Sequence, residues 1–443
     1  MFPPDAPCFQ APAGRIVGWR EGAVVRATGI RYARAERFGR PLAEPAATTP
    51  ILATAPAPAC PQLADPLLDQ VLGNLFAPLT YSEDCLRLSL TLPADLQPAE
   101  QLPVIVWVHG GSYVSGAGDL PLYDPARLVS EQRVVFIAVT YRLGLLGFLG
   151  AEGGTPPNLG LLDLLAALRW VQRNGAAFGG NPALVTLLGH SSGADACAQL
   201  LLVPEARGLF RRVILHSAPL GLTRHRQALT RALQAAAGPL SPTAPIGEVL
   251  ARERAVVQAA RWFGLKGAMP FGPQYGAPPL PPEADVEQAW VAAAPPVEVL
   301  IGTTAEETRF FAVIDPGLSR LGSLPLLGGM LSRGLVRATS RRIYQTPARD
   351  FARRHARGGG RAYLFQVNYA PPGSAFGAAH VVDLPLLLGT PESWAATPLL
   401  GQASWEAVQA AGRPVRQLWA DFARTGVLPA RLELPGVLRL RQV

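Results

Sequence analysis

The sequence predicts an α/β protein, with a central, mostly parallel, twisted sheet and helices on both of its faces. Two observations carry this. From about residue 100, short β-branched runs alternate with helix-spaced segments, the pattern that builds crossover connections and buries a sheet on both sides. In addition, V-T-L-L at 185–188 runs directly into G-H-S-S-G at 189–193, and a helix-compatible stretch follows at 194–202.

The elements follow in order. The opening 60 residues are rich in Pro and Ala, above all 41–62, and are expected to wrap the surface rather than form a domain. Cys8 is expected to lie loose near the terminus. Val104–Val108 and Val134–Val139 are strands bounded by turns. The segment 161–171 carries apolar residues at 161, 164, 165, 168 and 171, which is helical spacing. Asn158 is its candidate cap. Val185–Leu188 is a buried strand, and the helix after it holds Cys197 as a small hydrophobe. Val213–His216, Val297–Ile301 and Ala362–Val367 complete the strands. In sheets of this kind the ligand crevice lies at the carboxyl ends of the strands. Residues 221–296 and 312–360 are too long for ordinary connections and are expected to be helical insertions over the site. Residues 1–443 are thus expected to form one catalytic domain.

Composition narrows the functional classes. No apolar run approaches the roughly 18–20 residues that span a bilayer. Leu143–Gly150 is too short, and Leu321–Leu331 is closed off by Arg320 and Arg333. The first ten residues lack the basic and apolar regions of a secretory signal, so the cytoplasm is the expected compartment. A net charge of +8 raises nucleic acid as a partner. Among the 40 basic residues, however, only Lys266 is a lysine, and the arginines are scattered without aromatic platforms. Arg-Arg at 211–212, 341–342 and 353–354 is expected to mark solvated helix faces. Four cysteines in so long a chain do not make a disulfide scaffold. No His, Cys and carboxylate cluster has metal-ligand spacing, and no cofactor is expected.

Serine chemistry remains. In Gly-x-Ser-x-Gly the glycines are a steric requirement: a side chain at Gly189 or Gly193 would strike the neighbouring strand or helix. Ser191 then projects above the sheet. Its hydroxyl is a poor nucleophile without a base and a carboxylate to orient that base. The acid should follow the serine and the imidazole should come last. His216, His225 and His355 read as packing or surface residues. His380 follows the strand 362–367 through a Gly/Pro-rich loop, where a base over the site belongs. The strand 297–301 leads into two carboxylates, Glu306 and Glu307, between which spacing does not choose. His109-Gly110-Gly111 ends the strand 104–108, and glycines there let backbone N–H groups approach a developing oxyanion. The N–H of Ser192 completes three donors.

These motifs resemble the type-B carboxylesterases, the group of cholinesterases and bacterial para-nitrobenzyl esterases. The likeness spans T-G-I-R-Y-A at 28–33, S-E-D-C-L-R-L at 82–88, the His-Gly-Gly segment, T-Y-R-L-G-L-L-G-F-L at 140–149, the elbow, G-T-T-A-E-E at 302–307 and G-A-A-H-V-V-D at 377–383. It implies an α/β-hydrolase fold and places the acid at Glu307. It also implies Ser191 as nucleophile, His380 as base, and Gly110, Gly111 and Ser192 as oxyanion donors. In some members the cysteines matching Cys60 and Cys85 are bridged; here the pairing is open.

Departures from the pattern are informative. His190 stands where the family usually has glutamate, which removes an anionic group beside the serine and argues against cationic substrates. His190 itself is expected to act structurally. Thr308 replaces a usual glycine, which puts the local turn in question. His216-Ser217-Ala218 replaces Gln-Ser-Gly. The chain is also shorter than the family's usual length, so a shallower gorge is expected.

The expected function is a serine carboxylesterase that hydrolyses small-molecule esters of short to medium acyl chains through an acyl-enzyme. Trp107, Tyr113, Phe310 and Phe311 are candidates for an apolar mouth. Amidase, carbamate hydrolase, lactonase or lipase activity on the same triad is the alternative, and a non-catalytic binding protein of the same fold is the third reading. Neither nucleic acid nor membrane is an expected partner, and the sequence leaves the oligomeric state open.

Overall fold

The computed structural model describes residues 6–64, 66–73, 76–77, 79–150, 155–322 and 328–443. The start of the N-terminal segment (1–5), residues 151–154, and residues 323–327 within the expected insertion 312–360 lie outside them.

Eleven strands form one sheet: β1 (Trp19–Glu21), β2 (Val24–Arg31), β3 (Arg87–Pro93), β4 (Leu102–Val108), β5 (Val135–Val139), β6 (Gly180–His190), β7 (Arg212–His216), β8 (Glu298–Thr304), β9 (Ala362–Val367), β10 (Arg431–Leu434) and β11 (Leu438–Gln442). Their order is β10-β11-β9-β8-β7-β6-β4-β5-β3-β2-β1. The inner strands from β5 to β9 are parallel. Both edges are antiparallel, β3, β2 and β1 on one side and β11 and β10 on the other. The expected sheet is therefore mixed, parallel only at its centre. Hairpin-type connections at the edges need no crossover helix, which is why strands there can reverse.

Strand alternation feeds two cores. Val104, Val106 and Val108 of β4 pack in one, and Ile105 and Trp107 pack in the other. Each face is closed by helices. On the first lie α1 (Leu159–Asn174) and α2 (Ser192–Leu200). The segment 221–296 contributes α3 (Ile246–Ala260), whose Val249 and Val256 join the same core. Further along lies α4 (Gly328–Ser340), and then α5 (Trp405–Thr425), which buries Val408, Val415, Trp419 and Phe422 in the second core.

Several expectations change. Residues 19–31 are edge strands of the main sheet, not a surface wrap, and Cys8 sits in a small hairpin, Cys8–Ala11 with Gly14–Val17. Asn158 occupies the position before α1 but makes no cap bond there, because its backbone is left-handed at φ 63°. Its amide instead binds the carbonyls of Gln274 and Ala277 and the N–H of Gln274, fixing that loop. Arg211-Arg212 opens β7 rather than a helix, and the Arg212 guanidinium is buried on the Ala423 carbonyl. Arg354 stacks over Trp290, whereas Arg341, Arg342 and Arg353 are exposed. Among the described residues no helix is long and apolar enough to cross a membrane.

Candidate active site

β6 delivers His190 at its carboxyl end, and α2 starts two residues later. Between them Ser191 has φ 55° and ψ −126°, a backbone conformation that costs a non-glycine residue roughly 1–3 kcal/mol. Neighbouring backbone holds it there: the Ser191 N–H donates to the His216 carbonyl (2.8 Å), and its own carbonyl accepts from the Asp195 N–H (3.0 Å). The glycine argument holds atom by atom. A Cβ on Gly193 would stand 2.1 Å from the Val108 carbonyl oxygen, and one on Gly189 would stand 2.6 Å from the Ala194 nitrogen. Ser191 is partly exposed while all of α2 behind it is buried.

The His-Gly-Gly loop lies against this serine. A Cβ on Gly110 would come 3.0 Å from the Ser191 Cβ, so only glycine lets the loop approach so closely. Gly111 (φ 113°), Ser112 (φ 54°) and Tyr113 (φ 61°) follow in left-handed backbone. The Tyr113 N–H donates to the Ser192 Oγ (3.3 Å), and its hydroxyl donates to Asp195 (2.7 Å). His109 is buried below the loop, and its Nδ1 lies 2.8 Å from the Gly110 carbonyl oxygen.

The two carboxylates after β8 part company. Glu306 faces Arg309 (3.0 Å) at the rim. Glu307 is fully buried and lies 2.6 Å from His380 Nδ1. Its other oxygen accepts from the Ser217 hydroxyl (2.6 Å) and the Thr304 N–H (2.7 Å). The His380 ring is enclosed by aromatics, with ring centroids at 5.4 Å for Tyr344 and 5.9 Å for Phe311. Of the expected mouth residues only Phe311 is appreciably exposed, at 36%. Trp107, Tyr113 and Phe310 are core. Thr308 fits without strain at φ −79°, and its hydroxyl and N–H bind Val336, Thr339 and Ser340, tying α4 to the loop of Glu307.

Sequence reasoning missed a second buried network. Register pairs His190 with His216, side by side at the ends of β6 and β7. Asp383 lies between them, 2.5 Å from His216 Nδ1 and 3.6 Å from His190 Nε2. The His190 and His380 rings are 4.8 Å apart. Burial opposes ionisation of Asp383, but His190 and His216 hold its carboxyl well below the usual range. Burial likewise keeps His190 neutral. The negative charge absent at position 190 is present instead at Asp383, buried 3.6 Å from His190 Nε2. The spacing His380-x-x-Asp383 was the available signal. Cys60 and Cys85 are free, buried thiols, and the Cys60 contact and burial together push the Cys85 thiol up. Among the described residues no group of three His, Cys or carboxylates could hold a metal ion.

The carboxylesterase family model matches residues 5–321. The chain is 36% identical over 424 residues to the probable N-octanoylanthranilate hydrolase of Rhodococcus erythropolis, covering 94% of this chain and 92% of that one. It is 29% identical to the para-nitrobenzyl esterase of Bacillus subtilis, covering 93% and 88%. A solved para-nitrobenzyl esterase structure superposes with a TM-score of 0.81 at 26% identity, over 98% of this chain and 97% of that one. With an elbow serine, a glycine loop against it and a buried imidazole–carboxylate pair on this sheet, the chain belongs to the carboxylesterase family and is a carboxylic ester hydrolase of the α/β-hydrolase fold.

Proposed function

We propose that Ser191 is the nucleophile, His380 its general base and Glu307 the orienting carboxylate, with the N–H groups of Gly110, Gly111 and Ser192 as the oxyanion hole. The Glu307–His380 hydrogen bond carries this reading. A carboxylate that already accepts from Ser217 and Thr304 also accepts a hydrogen bond from Nδ1–H, which fixes the tautomer and leaves Nε2 as the acceptor for a serine hydroxyl.

Ser191 Oγ attacks the ester carbonyl carbon and its proton passes to His380 Nε2. The carbonyl oxygen becomes an oxyanion among the three N–H groups, each such donor contributing about 10²–10³ in rate. Collapse expels the alcohol, which takes the proton from His380, and leaves the acyl-serine. Water then attacks, giving its proton to His380, and the acid leaves as Ser191 Oγ regains a proton.

The substrates are esters with apolar acyl groups of short to medium length. Support comes from exposed Phe311 beside His380 and from exposed Met330, Leu331 and Leu335 on α4, the helix tied to the acid loop. A second reading, amide hydrolysis on the same triad, is favoured by the likeness to a relative named for an N-octanoyl substrate. Fluorophosphonate labelling followed by peptide mass spectrometry should modify Ser191, and Ser191→Ala should abolish turnover. Across p-nitrophenyl esters of rising acyl length and matched anilides, the esters should dominate. Dominant anilide turnover moves the assignment to the second reading.

A further inference from the structure

The stripe by which α3 packs on the body of the protein reads Val249, Glu253, Val256, Ala260, with one carboxyl among apolar residues. Glu253 is only 1% exposed. Its Oε2 accepts the Leu145 N–H at 2.9 Å, and its Oε1 has no hydrogen-bond partner among the described residues. Among the described residues no cation pairs with it. On its own helix Arg252 turns to Glu248 and to the carbonyls of Ala237 and Pro239, and Arg254 is exposed. On the facing turn Arg142 is committed to Asp163. An unpaired buried charge is far more costly than an unpaired neutral hydroxyl, so the group is held as the acid. Burial pushes its pKa up to about 7.

The carboxyl touches a turn that supports the glycine loop. Gly144 (φ 53°) lies directly against it: a Cβ there would stand 2.1 Å from Glu253 Oε2. The Gly144 N–H donates to the Tyr113 carbonyl at 2.7 Å. Tyr113 in turn donates its own N–H to the hydroxyl of Ser192, the residue after the elbow serine. Two contacts therefore lead from α3 to the loop that carries Gly110 and Gly111, and a third joins that loop to Ser192.

We propose that Glu253 is a positioning residue: as a neutral acid it locks α3 onto the 144–145 turn and, through Gly144 and Tyr113, sets the oxyanion loop. Loss of its proton puts an unpaired charge into that contact, loosens the turn and lowers kcat on the alkaline side. This rests on the oxyanion-hole assignment above.

The test is kcat and KM for a p-nitrophenyl ester from pH 6 to 9.5 in the wild type, Glu253→Gln and Glu253→Ala, with fluorophosphonate labelling in parallel. The wild type should lose kcat about tenfold along a one-proton alkaline limb, with KM little changed. Glu253→Gln, which cannot ionise and still accepts from Leu145, should keep the wild type's pH 6 kcat and lack the limb. Glu253→Ala should be slow at every pH. A limb that persists in Glu253→Gln, or an alanine variant as fast as the wild type at pH 6, overturns the proposal. Failure of the probe to label Ser191 sinks the triad assignment instead, whatever the pH profiles show.

Discussion

Trp419 donates its indole N–H to His216 Nε2 at 2.6 Å, and that bond decides the state of His216. With the Nε2 lone pair engaged by the indole, Nδ1–H is the donor to the Asp383 carboxylate. Burial works against the Asp383 charge, yet His190 and His216 depress its pKa below the usual range. A depressed carboxylate contributes stability that is present above the unfolded pKa, about 3.9, and is lost as pH falls through the lower folded value. The contribution is therefore complete at neutral pH. Asp383→Asn should cost about 3 kcal/mol, because it turns a buried charged acceptor into an amide between two imidazoles. Chemical denaturation at pH 7 measures this, and a variant as stable as the wild type would show the network to be dispensable.

Ser217 supports Glu307, the orienting carboxylate of the proposed triad. Its hydroxyl is one of two donors to Glu307 Oε1. Ser217→Ala removes a hydrogen bond to a charged group, about 1.5–3 kcal/mol, and leaves the Thr304 N–H in place. Part of that loss should appear as a reduced kcat, on the order of tenfold, with KM nearly constant, since the bond stabilises the imidazolium rather than bound ester. An equal rise in KM at unchanged kcat would place Ser217 in substrate binding instead.

What was legible in the sequence follows from local physics. Apolar runs and steric glycines mark β4 to β9 and the elbow, because burial on both faces and left-handed backbone leave few residue choices. The edge strands β1 and β2 were missed because Val24–Arg31 is interrupted by Thr28-Gly29, where pairing with β3 also shifts register. Glu306 and Glu307 were indistinguishable because the choice depends on which side of one turn meets residue 380, a contact across 73 positions. The Asp383 network was missed for the same reason: beyond the His380-x-x-Asp383 spacing, its members lie on β6, β7, α5 and the loop after β9, and only tertiary contacts unite them.

Thr308 makes a different kind of prediction. Its N–H and hydroxyl bind Ser340, and the hydroxyl also reaches the Val336 carbonyl and Thr339, so one residue fastens the end of α4 to the Glu307 loop. Thr308→Ala should cost about 1–2 kcal/mol locally and raise amide exchange across 336–340 more than across α1. Exchange followed by mass spectrometry reads this directly. Uniform exchange in variant and wild type would mean that α4 is held by its apolar face alone.

Acid should unfold this protein partly through His109. Burial lowers its pKa to about 4, opposed by the bond to the Gly110 carbonyl, so the folded state keeps a neutral ring where the unfolded chain would accept a proton at about 6.5. Stability from this group is complete above pH 6.5 and falls as pH drops toward 4, by about 3 kcal/mol at 1.36 kcal/mol per unit. His190 and His355, also lowered by burial, act in the same direction. Asp195 and Glu253 act in the opposite one: burial raises their pKa values to about 6 and about 7, so protonation there favours the fold. Between pH 6.5 and 4 the His109→Gln variant should therefore lose less stability, or gain more, than the wild type. Urea midpoints at pH 7 and pH 4.5 give both slopes, and identical pH dependence in the two proteins would remove His109 as a source of the acid sensitivity.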